Sequence, residues 1–182
     1  MKLSEKERKS KKVDRRTLYT VSIIKEAFLK LLKEKPFNKI TIVEIGKKAG
    51  ITRSTFYLHF DSLTDLLNEV IDEALSLSPS LAQEGASAES LVPACQRLGD
   101  SPKYQHLFMD PDLSEYIIGR IFQRESKKMI PKIMKNNGVS RQDAETIFLY
   151  TLHGSFAVNR KHHFQKTPAW QHDIQVVERL TK

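Results

Sequence analysis

Residues 41–67 read TIVEIGKKAGITRSTFYLHFDSLTDLL, and their punctuation leaves little choice of fold. Thr41 followed by Glu44 is a capping box, which starts a helix by satisfying two otherwise orphaned N–H groups. Gly50 suits the left-handed residue at a helix end, so this helix is short. Thr52 caps a second short helix over residues 53–59. Ser62 with Asp65 starts a third, which runs on through Leu66, Leu67, Val70, Ile71 and Ala74. Two short helices joined by a tight glycine turn form a helix-turn-helix.

The flanking sequence is helical as well. Leu18, Val21, Ile24, Ala27, Phe28, Leu31 and Leu32 recur at helical spacing, which predicts a helix from about Arg15 that Pro36 stops. Residues 1–14 have almost no apolar content and are expected to form a basic arm without regular structure. Residues 75–87, rich in Ser with Pro79 and Gly85, read as a linker. Beyond it, Ser101 with Pro102 reads as a helix start. Asp112 and Glu115 open a long helix that Pro131 should kink or break and that Gly138 ends. Ser140 with Asp143 caps the next, and Thr167 with Pro168 starts the last. No strand pattern of useful length and no repeat is visible. The expected fold is all-α: a basic arm over 1–14, a helix-turn-helix domain over 15–75, and a helical domain over 76–182.

Charge is placed unevenly. Residues 1–60 hold 16 Lys and Arg against 6 Asp and Glu, a net of +10, while the rest of the chain is at −2. A basic first third points to a polyanion, with anionic membrane surfaces as the competing reading. The arm lacks the apolar stripe a surface-seeking helix needs. No run of about 18 apolar residues or secretory h-region occurs, so no membrane partner is expected and the location read from the sequence is cytoplasmic. The single cysteine, Cys95, fits a reducing compartment and is read as a small buried hydrophobe. No nucleophile with a plausible base, phosphate-binding glycine loop or metal-ligand spacing is present, so the chain is read as a non-enzyme without cofactors. His162, His163 and His172 match no metal-ligand motif.

On a helix over 53–59, Ile51, Phe56 and Phe60 anchor to the core and leave Arg53, Ser54, Thr55, Tyr57 and His59 facing away. That division suits a recognition helix. Short hydroxyl side chains allow close approach to base edges, Arg reaches two guanine acceptors, and Tyr and His reach phosphate oxygens. Thr41 opens the preceding helix, whose free N–H groups favour a phosphate, with Lys47 and Lys48 beside it. Arg15 and Arg16, with Lys9, Lys11 and Lys12, are placed to follow the backbone or enter the minor groove. The alternative reading is a small helical bundle with a polar surface, in which the caps are only caps.

The stretch resembles the signature of the TetR family of bacterial transcriptional repressors. Thr41, Ala49-Gly50, Thr52, Phe56, Tyr57, His59 and Phe60 fill the family's Thr cap, turn, hydroxyl cap and aromatic run, and the resemblance covers about residues 15–75. It departs at Ser62-Leu63-Thr64, where the family usually has Ser-Lys-Glu with the Lys near a phosphate, and at Gly46, often Ala. The resemblance implies a homodimer on a palindromic double-stranded operator, paired through helices at about 141–164 and 168–181, and released by a small-molecule ligand. Tyr104, Phe108, Ile117, Ile121, Phe122, Tyr150, His153 and Phe156 are the residues that a ligand pocket would use, with His106 as a further polar group; each alone is more often core. The competing function is a TetR-like protein that acts by binding another regulatory protein, with little operator binding.

Overall fold

A computed structural model describes residues 5–77 and 95–180, and among these the regular structure is helical throughout, with no strand. The chain divides into two compact units, Met1–Val70 and Ile71–Lys182. The first four residues of the expected arm and residues 78–87 of the expected linker lie outside the described residues.

In the first unit, α1 spans Glu5–Leu32, so residues 5–14 form its opening turns rather than an arm without regular structure. Apart from Ser10, Val13 and Asp14 the stretch is Lys, Glu and Arg, with no Gly or Pro, which is compatible with a helix. From Arg15 on, the first buried residue is Ile24, followed by Ala27, Phe28, Leu29, Leu31 and Leu32. Leu18, which the spacing places on the apolar face, is exposed. α2 runs Ile42–Ala49 and α3 only Arg53–Tyr57. α4, Leu63–Ser76, begins in the first unit and continues past its boundary. The core of this unit is Ile24, Phe28, Leu31, Ile40, Ile45, Phe56, Phe60, Leu66, Leu67 and Val70.

The second unit has α5 at Gln105–Met109, α6 at Ser114–Asn137, α7 at Arg141–Lys161 and α8 at Pro168–Leu180. Ser101 and Pro102 open a turn instead of a helix, because α5 starts only after Tyr104. Asp110 caps the short turn before α6, accepting from the Asp112 amide at 2.9 Å. α6 continues through Pro131, so of the expected kink or break there is no break. Pro131 is exposed, so the carbonyl that loses its helical donor can be hydrated. Gly138, at φ 64°, then closes the helix by donating to the Met134 carbonyl at 2.9 Å. α6 and α7 pack antiparallel: Phe122 stacks on Phe148 at 5.2 Å, and Arg160 reaches back to Ser114.

The turn from α7 into α8 is the most constrained point. His163 and Phe164 both sit at positive φ, 53° and 55°, a region that side chains other than Gly seldom adopt. Four hydrogen bonds hold them there: the His163 amide to the Arg160 carbonyl at 3.0 Å, the Phe164 amide to the Asn159 carbonyl at 2.7 Å, Gln96 Nε2 to the Phe164 carbonyl at 2.7 Å, and Gln105 Nε2 to the His163 carbonyl at 3.0 Å. Phe108 and Phe156 close on the Phe164 ring at 5.8 and 5.4 Å. Asn159 also accepts from Trp170 Nε1 at 2.8 Å, which ties α8 to α7.

Gly99 lies against this turn, and a Cβ there would stand 2.1 Å from Phe164 Cβ. Gly119, on the exposed side of α6, has open space around it among the described residues. Gly99→Ala should therefore lower stability by roughly 1–3 kcal/mol, the range for overpacking, whereas Gly119→Ala should raise it by up to about 1 kcal/mol through helix propensity. Urea unfolding of both variants checks the pair, and equal effects would contradict the placement of Gly99.

Candidate nucleic-acid interface

α2 starts as its cap predicts. Thr41 Oγ1 accepts from the Glu44 amide at 3.3 Å, and Glu44 Oε2 accepts from the Thr41 amide at 3.0 Å and its hydroxyl at 2.8 Å. Lys35 adds a third partner, 2.5 Å from Glu44 Oε1. The Thr41 hydroxyl is thus engaged by Glu44. The helix ends at Gly50, φ 68°, whose amide donates to the Gly46 carbonyl. Gly46 is buried, and a Cβ there would lie 3.0 Å from the Ile51 carbonyl oxygen. Its lack of a side chain lets the chain after the turn pass close to α2, which offsets its poor helix propensity.

Thr52 then caps α3, accepting from the Thr55 amide at 3.1 Å, and its hydroxyl meets the Thr55 hydroxyl at 2.9 Å. Phe56 is fully buried and contacts Phe60 and Tyr57 with rings 5.6 Å apart. On the other side, Arg53, Ser54 and Tyr57 are exposed, and the Arg53 guanidinium lies 5.5 Å from the centre of the Tyr57 ring with a 3.3 Å hydrogen bond to its hydroxyl. Stacking of this kind fixes a long flexible cation before any ligand arrives.

The expected residues therefore separate. Arg53, Ser54 and Tyr57 share one outward face; Thr55 and His59 are half-buried, turned partly toward the Phe56 side. Leu58, 80% exposed, takes a place on the outward face that the apolar-anchor pattern did not assign to it. The signal was available: four residues after Ser54 falls on the same helix face. Thr52 is exposed at the cap, and Arg15 and Arg16 are exposed along α1. Lys48 is exposed but paired with Glu34 at 2.6 Å, so an anion approaching it competes with a carboxylate.

In the second unit, Tyr104, Phe108, Ile117, Ile121 and Phe156 are buried and Phe122 is half-buried; Phe108 and Phe156 pack on Phe164, and Phe122 on Phe148. Tyr104 donates its hydroxyl to Glu73. Tyr150 departs from the pocket set altogether, being 79% exposed on the outer side of α7. His153 is half-buried with Nδ1 3.7 Å from Glu115, and His106 is exposed. A cleft does open among Ala74, Leu77, Arg97, Leu98, Ser101 and Pro102, and it includes none of the expected residues. Cys95 is buried, and burial followed by the Glu125 charge pushes its thiol up to about 12. No helix among the described residues is long and apolar enough to cross a membrane.

A short helix carrying arginine, serine and tyrosine outward, pinned behind by a buried phenylalanine and preceded by a glycine turn, defines a helix-turn-helix protein. Residues 23–70 match the family model described as bacterial regulatory proteins, tetR family. Over 67 residues it is 39% identical to YxbF of Bacillus subtilis (strain 168), described as an uncharacterized HTH-type transcriptional regulator; the match covers 36% of this chain and 18% of that protein. Over 53 residues it is 36% identical to an uncharacterized HTH-type transcriptional regulator of Haemophilus influenzae, covering 29% of this chain and 26% of that protein. The matched stretch is thus a small part of both relatives.

Glu44 supplies a test of the local architecture. The Lys35 ammonium and then the Thr41 hydroxyl hold its carboxyl at about 2, below its ordinary 4.5. A carboxyl lowered by folding stabilises the fold above its unfolded pKa, and that contribution disappears as pH falls through the folded value. The melting temperature of the wild type should therefore drop more than that of Glu44→Gln as pH falls from about 4.5 to about 2. Parallel acid limbs would remove Glu44 from the account.

Proposed function

We propose that this chain is a sequence-specific DNA-binding transcriptional regulator that works in the cytoplasm as a homodimer, represses from a palindromic operator, and is released when a small molecule binds its second domain. The observation that carries the reading is the outward face of α3, where Arg53, Ser54 and Tyr57 stand clear of the core on a helix that Phe56 fixes from behind. Arg53 has the geometry to address both acceptors of a guanine, and Tyr57 to reach a phosphate. The first turn of α2 adds N–H groups that favour a phosphate, and Lys47 and Lys48 add positive charge at the other end of that helix. The charge of the first 60 residues suits the same partner.

Dimerisation is supported by the outer sides of α7 and α8. Leu149, Tyr150 and Val176 are exposed there. Gly154 and Ala157 are also exposed and let a second helix approach closely. One short recognition helix reads too few bases, so two copies on two half-sites supply the missing specificity. A ligand that prefers the released state by a few kcal/mol is enough to shift the balance.

Titration of the full chain onto the DNA upstream of its own gene, at several salt concentrations and against random competitor, tests the reading. Binding should survive competitor and fall steeply with salt, each phosphate contact adding roughly 0.9 to the slope. Arg53→Ala should relax base preference at one position of each half-site, at a cost of about 1–3 kcal/mol there. Salt-insensitive binding no better than to random DNA would turn the helix-turn-helix toward a protein partner instead.

A further inference from the structure

Leu58 is the most exposed of the large apolar residues described, at 80%, and it stands among polar groups. Its amide donates to the Ser54 carbonyl at 3.2 Å, which continues the helical turn past Tyr57 and sets Leu58 one turn beyond Ser54 on the same side. Arg53 and Tyr57 flank that line. A branched apolar side chain so placed gains nothing in the free protein, since water surrounds it. It gains from a partner that offers an apolar group at the depth where its neighbours meet base edges. The major groove offers one such group, the C5-methyl of thymine.

We infer that Leu58 reads a thymine methyl group in each half-site of the operator, beside the positions addressed by Arg53 and Ser54. This rests on the proposed DNA-binding function and adds to it a specificity residue that works by apolar contact. Ser54 and Arg53 on the same face distinguish hydrogen-bonding patterns, and neither selects for a methyl group. Leu58 supplies that selection through removal of apolar surface from water, which requires no polar partner and costs no desolvation of a donor.

The test uses the full chain and a duplex selected by it from a random-sequence pool. Each thymine is replaced singly, in both half-sites, by uracil, which removes only the methyl group. Wild-type binding should weaken about fourfold per half-site at one position, the scale expected for burying a single methyl group, and remain unchanged elsewhere. Leu58→Ala, checked for its helical circular dichroism, should bind more weakly and lose its sensitivity to uracil at that position alone. Three outcomes overturn the inference. A uracil scan that leaves wild-type affinity flat removes the methyl contact. Equal uracil sensitivity in wild type and Leu58→Ala assigns the methyl to another residue. A pool that yields no enriched sequence defeats the DNA-binding reading, and Leu58's role falls with it.

Discussion

α3 has five residues, Arg53–Tyr57, too few to persist as a helix in water, and everything the interface can do depends on what holds it. The holding group is Phe56, fully buried, with Phe60 against its ring. Burial of one such side chain contributes about 1.5–3 kcal/mol, which is on the scale of the cost of ordering one or two residues. The Thr52 cap and the Gly50 turn then set where the helix begins, and the phase of Phe56 sets which side chains face out. Tyr57 packs edge-on against Phe56 and carries Arg53 on its ring, so a link runs from core to surface through three side chains. The outward face is therefore preorganised, and less freedom is lost when a ligand meets it.

The second unit is organised around a different restraint. Phe164 occupies a left-handed backbone position that costs energy for an aromatic residue, and its neighbours repay that cost with hydrogen bonds to both its amide and its carbonyl. Gly99 leaves room for the ring, while Asn159 links the turn to Trp170 at the start of α8. Lys161 and His162 both meet Asp173, at 2.7 and 2.8 Å, and lower its carboxyl to about 2, Lys161 more than His162. The angle at which α7 and α8 leave this turn is fixed by these contacts, and with it the outer face that carries Tyr150.

Much of this was legible in the sequence because caps act over three or four residues. Thr41 with Glu44, Gly50, Thr52, Ser62 with Asp65, Ser140 with Asp143 and Gly138 each marked a boundary that is observed. What the sequence left out depends on pairs distant along the chain. The Lys48–Glu34 ion pair spans fourteen residues and changes the meaning of a lysine that otherwise reads as a phosphate contact. The buried packing of Gly46 against the Ile51 carbonyl turns an apparent defect into a fit. Facing direction was the other loss. An expected helix reaching residue 59 distributes Thr55 and His59 outward; the observed α3 ends at Tyr57, leaving both half-buried and Leu58 exposed. Tyr150 was assigned inward on its aromatic character, and only the packing of α7 on α6 shows that Phe148 and Leu152 take the inner side. Pro131 reads as a kink or a break in sequence because its context, an exposed position in a long packed helix, is a tertiary fact.

The central claim is that the outward face of α3 meets DNA. Amide hydrogen exchange on the full chain, free and bound to a duplex that it selects from a random pool, addresses it directly. The account predicts slowed exchange at residues 53–58 and in the first turn of α2, with the middle of α6 unchanged. Protection confined to the second unit, with residues 53–58 exchanging as fast as in the free protein, would contradict it.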